Sequence, residues 1–160
     1  MAGAYAPAWS PNGEWIAFAL EEDASEPLIF PQRLYLIHPD GMGLISISKN
    51  EQGQASNPLW IADDSLYYSI TNGAGENAAD GIHHYDLTTQ TDSLLISGTN
   101  LAPISLSPDG NFLVYSQTQI SGNVYLQDLN LWRVDTGQTI PIAQGQDGNP
   151  VQFGGWHLED

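Results

Sequence analysis

The candidate catalytic or metal-binding side chains of this sequence are its carboxylates and its histidines. The 160 residues include 19 Asp and Glu, four His, three Lys and Arg, and no Cys. Carboxylates and imidazoles serve as general acids and bases and as ligands for cations. The absence of cysteine excludes disulfides and thiolate chemistry but is compatible with any compartment.

The histidines do not form a set of metal ligands in the sequence. His83 and His84 are adjacent, and adjacent side chains on a strand point to opposite faces, so the two cannot easily grip one metal ion. We expect one to be packed and the other exposed. His38 precedes a turn and His157 follows the last repeat, each without a partner at a ligand spacing.

The motifs of common catalytic sites are absent from the sequence. It has no Gly-x-Ser-x-Gly elbow, no phosphate-binding loop and no His-Glu-x-x-His. The sequence therefore predicts a protein that is not an enzyme.

The formal net charge of −16 limits the choice of partner. Such a charge repels nucleic acid and anionic lipid, so neither is expected to bind. No apolar run reaches the length of a membrane helix, which predicts no membrane insertion, and the opening "MAGAYAPAWS" has no signal-peptide pattern. A cationic protein, a divalent cation, or a neutral sugar or peptide is still compatible with the charge.

The sequence consists of repeated units, and the strands and turns of these units determine where the side chains lie. Four units open on a proline, and the steps between these prolines are 51, 45 and 47 residues: Pro7, Pro58, Pro103 and Pro150. "SPNGEWIAFA" (10–19) and "SPDGNFLVYS" (107–116) share Ser-Pro-Asx-Gly followed by alternating apolar residues. Each full unit continues with a strand, a polar turn and a strand, at 33–48, 81–97 and 130–143. No stretch of twelve residues has a helical stripe.

Each unit is predicted to be a four-stranded antiparallel meander, since Asx-Gly supplies hairpin turns and the runs alternate with a period of two. A period of 45–50 residues with four strands is typical of propeller blades. The fold class is therefore all-β and propeller-type, with one unit over 1–160. Three blades are expected at about 5–48, 57–97 and 102–143, followed by the start of a fourth blade or a latch strand at 149–156. Trp9, Trp15, Trp60 and Trp132 are expected in strands, packed between blades.

"AWSPNGEWIAF" and "SLSPDGNFLVYS", each followed by "LYLIHPDG" or "LWRVDTGQ", resemble the TolB-like β-propeller repeat family. Similar repeats occur in the propeller domains of prolyl-oligopeptidase-type enzymes. The second unit departs from the pattern, because it has Ala62-Asp63-Asp64 in place of Ser-Pro-Asx-Gly. The resemblance implies an interaction platform in a periplasmic or extracellular setting, although the sequence itself leaves the compartment unknown.

Three blades and one strand do not complete a ring, since propellers have about four to eight blades. Two chains could close a six-bladed ring, the chain could be a piece of a longer propeller, or three blades could pack as a wedge against another protein.

Binding residues are expected on the long loops at one end of the blades. The predicted binding carboxylates are Glu21, Glu22, Asp23, Glu26, Glu76, Asp80 and Asp128. A calcium ion could bind there, but no loop has a calcium-site motif, so no cofactor or metal is predicted. The predicted interface residues are Leu28, Ile29 and Phe30 in the apolar stretch "PLIFP", and Phe153 and Trp156 near the last repeat.

The sequence thus predicts a non-catalytic protein-binding or scaffold module that completes a ring by self-association. Its partner would be a second copy, as a homodimer, or another envelope protein. The alternative is a ligand-binding or accessory propeller segment of a larger peptidase or glycan-active enzyme.

Overall fold

The computed structural model describes residues 3–22, 31–48, 52–74, 79–121, 124–146 and 151–157. These residues form strands, turns and loops, and no helix occurs among them. The strands are β1 (Ala4–Trp9), β2 (Ile16–Glu21), β3 (Gln32–Ile37), β4 (Ile45–Ser46), β5 (Gln52–Ala62), β6 (Ser65–Ala74), β7 (Gly81–Asp86), β8 (Thr91–Ser97), β9 (Leu101–Leu106), β10 (Phe112–Ser121), β11 (Val124–Arg133) and β12 (Thr139–Ala143).

The strands form three antiparallel meanders of four strands, β1–β4, β5–β8 and β9–β12, which are called blades 1, 2 and 3 below. The first strands β1, β5 and β9 lie side by side. Blades 1 and 2 are also joined by one parallel pairing, between Gln32 and Gln54. The predicted all-β partial propeller is confirmed.

The Ser-Pro-Asx-Gly motif forms the same turn in blades 1 and 3. The Ser10 hydroxyl donates to Asn12 Oδ1 at 2.8 Å and accepts the Trp15 N–H at 2.9 Å. The Ser107 hydroxyl likewise donates to Asp109 Oδ1 at 2.6 Å and accepts the Phe112 N–H at 2.9 Å. One serine hydroxyl thus closes each turn, so the two copies of the motif have the same structural role.

The glycines of these turns have left-handed backbone conformations. Gly13 has a φ of 73° and Gly110 a φ of 74°, a region that side chains with a Cβ rarely adopt. In blade 2, Asp63 and Asp64 make a two-residue turn between Ala62 and Ser65 without a positive φ. The hairpin therefore forms there without glycine.

The repeat prolines lie at irregular points of the first strands. The register shifts between Tyr5 and Ala8 around Pro7, and between Ser56 and Leu59 around Pro58. A similar shift follows Pro103 in β9. Proline has no N–H to give to a ladder, so it is tolerated where a bulge interrupts the pairing.

The core consists of two apolar layers between blades. The layer between blades 1 and 2 includes Ala17, Leu34 and Leu36 from blade 1 and Leu66, Tyr68 and Ile70 from blade 2, each fully buried. The layer between blades 2 and 3 includes Tyr67, Ile82, Leu113, Tyr115 and Trp132. Each blade thus has one apolar face for each neighbour, as the alternation predicts.

Two expectations about the tryptophans are wrong. Trp9 is 58% exposed, since no blade among the described residues covers that side of blade 1, and Trp15 precedes β2 instead of lying in it. Residues 151–157, the described part of the expected fourth-blade start or latch strand, contain no regular strand. The rest of the predicted strand, 149–150, lies outside the described residues.

Candidate functional site

The meander places the connections of every blade at two ends. At the loop end, β2, β6 and β10 finish and β3, β7 and β11 begin; the tight turns lie at the opposite, turn end. Asp23, Glu26, Glu76, Leu28, Ile29 and Phe30 belong to loop-end segments outside the described residues. Glu21, Glu22 and Asp80 are described and lie at the loop end. Asp128, predicted in a long loop, instead lies within β11, in the half nearer the loop end, because β10 and β11 pair as far as Ser121 and Val124.

Glu21 and Glu22 are bonded within blade 1. The Glu22 carboxylate forms an ion pair with Arg33 Nε at 2.8 Å and accepts a short hydrogen bond from the Tyr35 hydroxyl. Burial raises the pKa of Tyr35, and the Glu22 carboxylate raises it further. Glu21 accepts a hydrogen bond from Tyr5 at 3.1 Å. These two carboxylates therefore tie three strands of blade 1 together.

The Asp128 carboxylate links separate segments of blade 3 by hydrogen bonds. One carboxylate oxygen accepts from the Gln119 amide at 2.7 Å, and the other accepts from the Gly145 N–H at 3.0 Å. In blade 2, the backbone carbonyl of Asp80 accepts from the Gly98 N–H at 3.1 Å. The structure thus brings the predicted carboxylates to one end but engages Glu21, Glu22 and Asp128 in bonds to their own blades.

The turn end carries a cleft that the sequence did not single out. Asn12, Glu14 and Trp15 of blade 1 face Asp63, Asp64 and Thr88 of blade 2 around a cleft of about 540 Å³. The Thr88 hydroxyl donates to Asp64 Oδ2 at 3.1 Å. The repeat in the sequence could have indicated this cleft, because the tight turns of successive units lie at the same end of the blades.

A buried polar cluster lies between blades 1 and 2. His83 Nδ1 is 3.1 Å from Asp92 Oδ2, and these side chains are 1% and 2% exposed. His83 Nε2 is 2.8 Å from the Ala79 carbonyl oxygen. The ring of Tyr68 packs on the imidazole with 5.3 Å between centroids. The hydroxyl of Tyr68 and the Asp92 Oδ1 atom are buried and form no hydrogen bond of normal geometry.

Both ring nitrogens of His83 therefore face acceptors. A neutral imidazole has one N–H, so both hydrogen bonds form only when His83 is protonated. Burial by itself lowers the pKa of His83, but the bonds to Asp92 and Ala79 and the Asp92 charge outweigh it and raise that pKa. Burial and the nearby Asp92 charge also raise the pKa of Tyr68. The two acceptors beside its ring nitrogens favour the protonated form of His83, next to the buried carboxyl group of Asp92.

The other histidines have separate structural contacts. His84 points to the opposite face of β7 from His83, is half-buried, and lies 3.3 Å from the Ser65 hydroxyl. His38 stacks on Trp15 with 3.7 Å between ring centroids, and its Nδ1 is 2.8 Å from the Glu14 carbonyl oxygen. The opposed directions of His83 and His84 agree with the prediction from strand geometry.

One face of blade 1 has apolar side chains that no other described blade covers. Cross-strand register places Trp9 beside Ile16, Ile16 beside Ile37 and Phe18 beside Tyr35. These side chains, with Leu20, point away from blade 2, because Ala17 and Ala19 between them face it. The blade 1 open face is defined here as Trp9, Ile16, Phe18, Leu20, Tyr35 and Ile37.

The matching faces of blades 2 and 3 are covered. Leu66, Tyr68 and Ile70 are fully buried against blade 1, and Leu113 and Tyr115 are at most 5% exposed against blade 2. Ile16, Phe18 and Leu20 hold the same register positions in blade 1 and are only partly buried. The blade 1 open face is thus a blade–blade surface without a preceding blade among the described residues.

Phe153 and Trp156, two predicted interface residues, pack on their own chain. Their rings meet edge to face with 5.4 Å between centroids. The Trp156 indole N–H donates to the Ser105 hydroxyl of β9 at 3.0 Å. Trp156 and His157 also line a groove of about 250 Å³ with Ser107, Asp109 and Phe112.

Neither a metal site nor a membrane-spanning helix is found among the described residues. No three His, Asp or Glu side chains in this part of the chain are grouped so that they could hold a metal ion. No helix of membrane-spanning length and hydropathy is found among the residues whose placement is described.

No protein-family model matches the chain, and no curated protein is significantly similar to it in sequence. Solved structures do share its fold. An oligogalacturonate lyase in complex with manganese covers 91% of the chain with a TM-score of 0.58 at 13% identity. TolB from Acinetobacter baumannii covers 87% with a TM-score of 0.58 at 19% identity. The β-propeller domain of the Trilobed protease from Pyrococcus furiosus, which has an open velcro topology, covers 89% with a TM-score of 0.55 at 14% identity.

The chain has a partial β-propeller fold, and this fold is similar to that of TolB. It spans 42%, 32% and 44% of the lengths of these three proteins, so each of them is more than twice as long as the matched part. The fold occurs both in a lyase and in TolB proteins and does not by itself define an activity.

Proposed function

We propose that the chain is a non-catalytic, protein-binding propeller module whose ring is completed by a second copy of the same chain. The observation that carries the proposal is the blade 1 open face. It has the register of the buried faces in blades 2 and 3, but its side chains are only partly buried and no preceding blade lies among the described residues. An apolar surface of this kind is stabilised when another blade packs on it.

A second copy supplies blades of the right kind. Three blades from each of two chains make six, which lies within the range of closed propellers. Two-fold symmetry is the commonest arrangement of homo-oligomers, and it uses the same pair of surfaces at both junctions. Closure would remove the open apolar face from water in both copies.

Protein binding, not catalysis, is proposed for the completed module. Its loop end carries several carboxylates and the β2–β3 and β6–β7 connections, which favours a basic protein surface as the partner. Glu21, Glu22 and Asp128 are occupied by structural bonds, so they shape this surface more than they supply free charge. The TolB-like fold supports an envelope protein as partner, in a periplasmic or extracellular setting.

The mass of the chain in solution tests the proposal. Light scattering after size exclusion, at several concentrations, should show a dimer near twice 17.4 kDa. Trp9→Asp should shift the chain to monomer, because it adds a charge to the open face without disturbing a packed core. Thr99→Asp, at an exposed loop position, adds the same charge elsewhere and should leave the dimer intact. A folded chain that is monomeric at every concentration, and that stays monomeric when residues 151–157 are removed, would overturn self-association.

The second candidate is an accessory propeller segment of a larger peptidase or glycan-active enzyme. The likeness to a protease propeller and to an oligogalacturonate lyase favours it, as does the partial coverage of both. The remaining blades would then come from the same polypeptide. Sequencing the complete reading frame around this segment decides the matter: further repeats or a catalytic domain support the accessory role, and their absence supports self-association.

A further inference from the structure

Trp60, in the first strand of blade 2, and Trp156, after blade 3, each donate an indole N–H to the first strand of the preceding blade. Trp60 in β5 donates its indole N–H to the Ala8 carbonyl oxygen at 3.0 Å, across the junction between blades 2 and 1. Trp156 donates its indole N–H to the Ser105 hydroxyl at 3.0 Å, across the surface of blade 3.

The two acceptor residues hold the same position in their blades. Ala8 pairs with Ala17, and Ser105 pairs with Val114. Ile16 and Leu113 face the side of the preceding blade. Ala17 and Val114 are the next residues along each strand, so they face the opposite side. Ala8 and Ser105 therefore lie on the side that receives the next blade.

The side of blade 3 that would receive a next blade is already covered. Val114 is fully buried, Ser116 is 2% exposed and Leu129 is 4% exposed. The blade 1 open face, at the other end of the three-blade unit, has no such cover among the described residues. The groove beside Ser107 and Phe112, which Trp156 and His157 line, matches in position the cleft where Ala62 and Asp63 of blade 2 meet Asn12 and Trp15 of blade 1.

We infer that residues 151–157 occupy the docking position of a following blade's first strand, and that a second copy must displace them before its blade 1 can dock on blade 3. Trp9 of the second copy then takes the place of Trp156 beside Ser105. Trp9 and Trp60 both follow the repeat proline by two residues, and both face the preceding side of their blade, since Trp9 pairs with Ile16 and Trp60 pairs with Leu66.

This inference rests on the proposed self-association and specifies its surfaces and its control. Residues 151–157 act as an intramolecular competitor, and a segment docked about nine-tenths of the time weakens each junction about tenfold. A two-fold ring has two such junctions, so removing the competitor should strengthen the dimer between about tenfold and about a hundredfold.

Sedimentation equilibrium on the full chain and three variants tests the inference. Deletion of 151–160 and Trp156→Ala should both lower the dimer dissociation constant at least about tenfold. Gln152→Ala, at an exposed position of the same segment, is the matched control and should leave it unchanged. A synthetic peptide of residues 151–157 should dissociate dimers of the deletion variant. Because Trp156→Ala keeps the full chain, it provides the test even where the deletion variant fails to fold.

The outcomes separate this inference from the proposed function. A full chain that dimerises, with both variants unchanged or weaker, overturns displacement and leaves self-association intact. A full chain that is monomeric, with a dimeric Trp156→Ala variant, supports both. Folded proteins that stay monomeric in every case overturn both.

Discussion

His83 Nδ1 lies 3.1 Å from Asp92 Oδ2 in the layer between blades 1 and 2, with both side chains almost fully buried. The pair is held by strand geometry: Asp92 pairs with Tyr85, and Tyr85 is on the same face of β7 as His83. Tyr68 closes the cluster from β6. A buried pair of this kind is far more sensitive to the loss of one partner than to the loss of both.

Asp92→Asn should destabilise the protein by about 3 kcal/mol at about pH 5.5, below the ordinary pKa of histidine, because the protonated His83 is left without a counter-charge in a buried site. The free energy of unfolding from urea titrations measures the loss. His84→Gln is the control, since His84 is half-buried on the opposite face. A loss no larger than that of the control would mean that the pair contributes little to the fold.

The stability contributed by His83 should fall as pH rises. Its folded pKa is raised above the ordinary 6.5, so the contribution is complete below about pH 6.5 and is lost as pH rises through the folded pKa. The groups facing His83 are Asp92 and Tyr68, and both are ordered in the same layer. His83→Gln should therefore destabilise the protein more at about pH 5.5 than at about pH 9. Urea titrations across this range give the difference directly, and a loss independent of pH would mean that His83 is neutral in the folded protein.

Gly110→Val should lower the melting temperature by about 2–8 °C, since a branched side chain at a φ of 74° is strained by about 1–2 kcal/mol. The space around the Gly110 Cα is open, so the effect comes from the backbone alone. Gly154→Val is the matched control, because that site is also open but has no positive φ. Thermal unfolding of the two variants compares them, and equal melting temperatures would contradict the role assigned to the turn.

Ser10→Ala and Ser107→Ala should each destabilise the protein by about 1–2 kcal/mol, because each hydroxyl is buried, donates to an Asx side chain and accepts a backbone N–H. The double variant should lose the sum, since the two turns belong to blades 1 and 3. Chemical unfolding of the three variants checks this. A clear inequality would show that the two copies of the motif are equivalent in geometry but not in energy.

The sequence predicted the parts of the fold that depend on neighbours along the chain. Ser10 and Ser107 close their turns with residues two and five positions away, and Ile16 and Ala17 take opposite faces by alternation. These relationships need no knowledge of what packs above the sheet.

The environment of each face could not be predicted in the same way. Trp9 and Trp60 have the same spacing from a proline, yet Trp60 is bonded to Ala8 and Trp9 is 58% exposed. Blade 1 precedes Trp60, whereas no blade among the described residues precedes Trp9. The residues around each tryptophan do not indicate this difference. The His83–Asp92 pair also escaped prediction, because it depends on the register between β7 and β8, and that register shifts between Ile82 and His83.

Self-association of this chain should be strengthened by salt. Each copy carries a formal net charge of −16, so two copies repel each other before their apolar faces meet. Raising NaCl from about 0.05 M to about 0.5 M shortens the screening length and should lower the dimer dissociation constant. A ring held mainly by ion pairs between copies would respond in the opposite direction. Sedimentation equilibrium at the two salt concentrations therefore reports whether the contact between copies is the apolar one that the blade 1 open face provides.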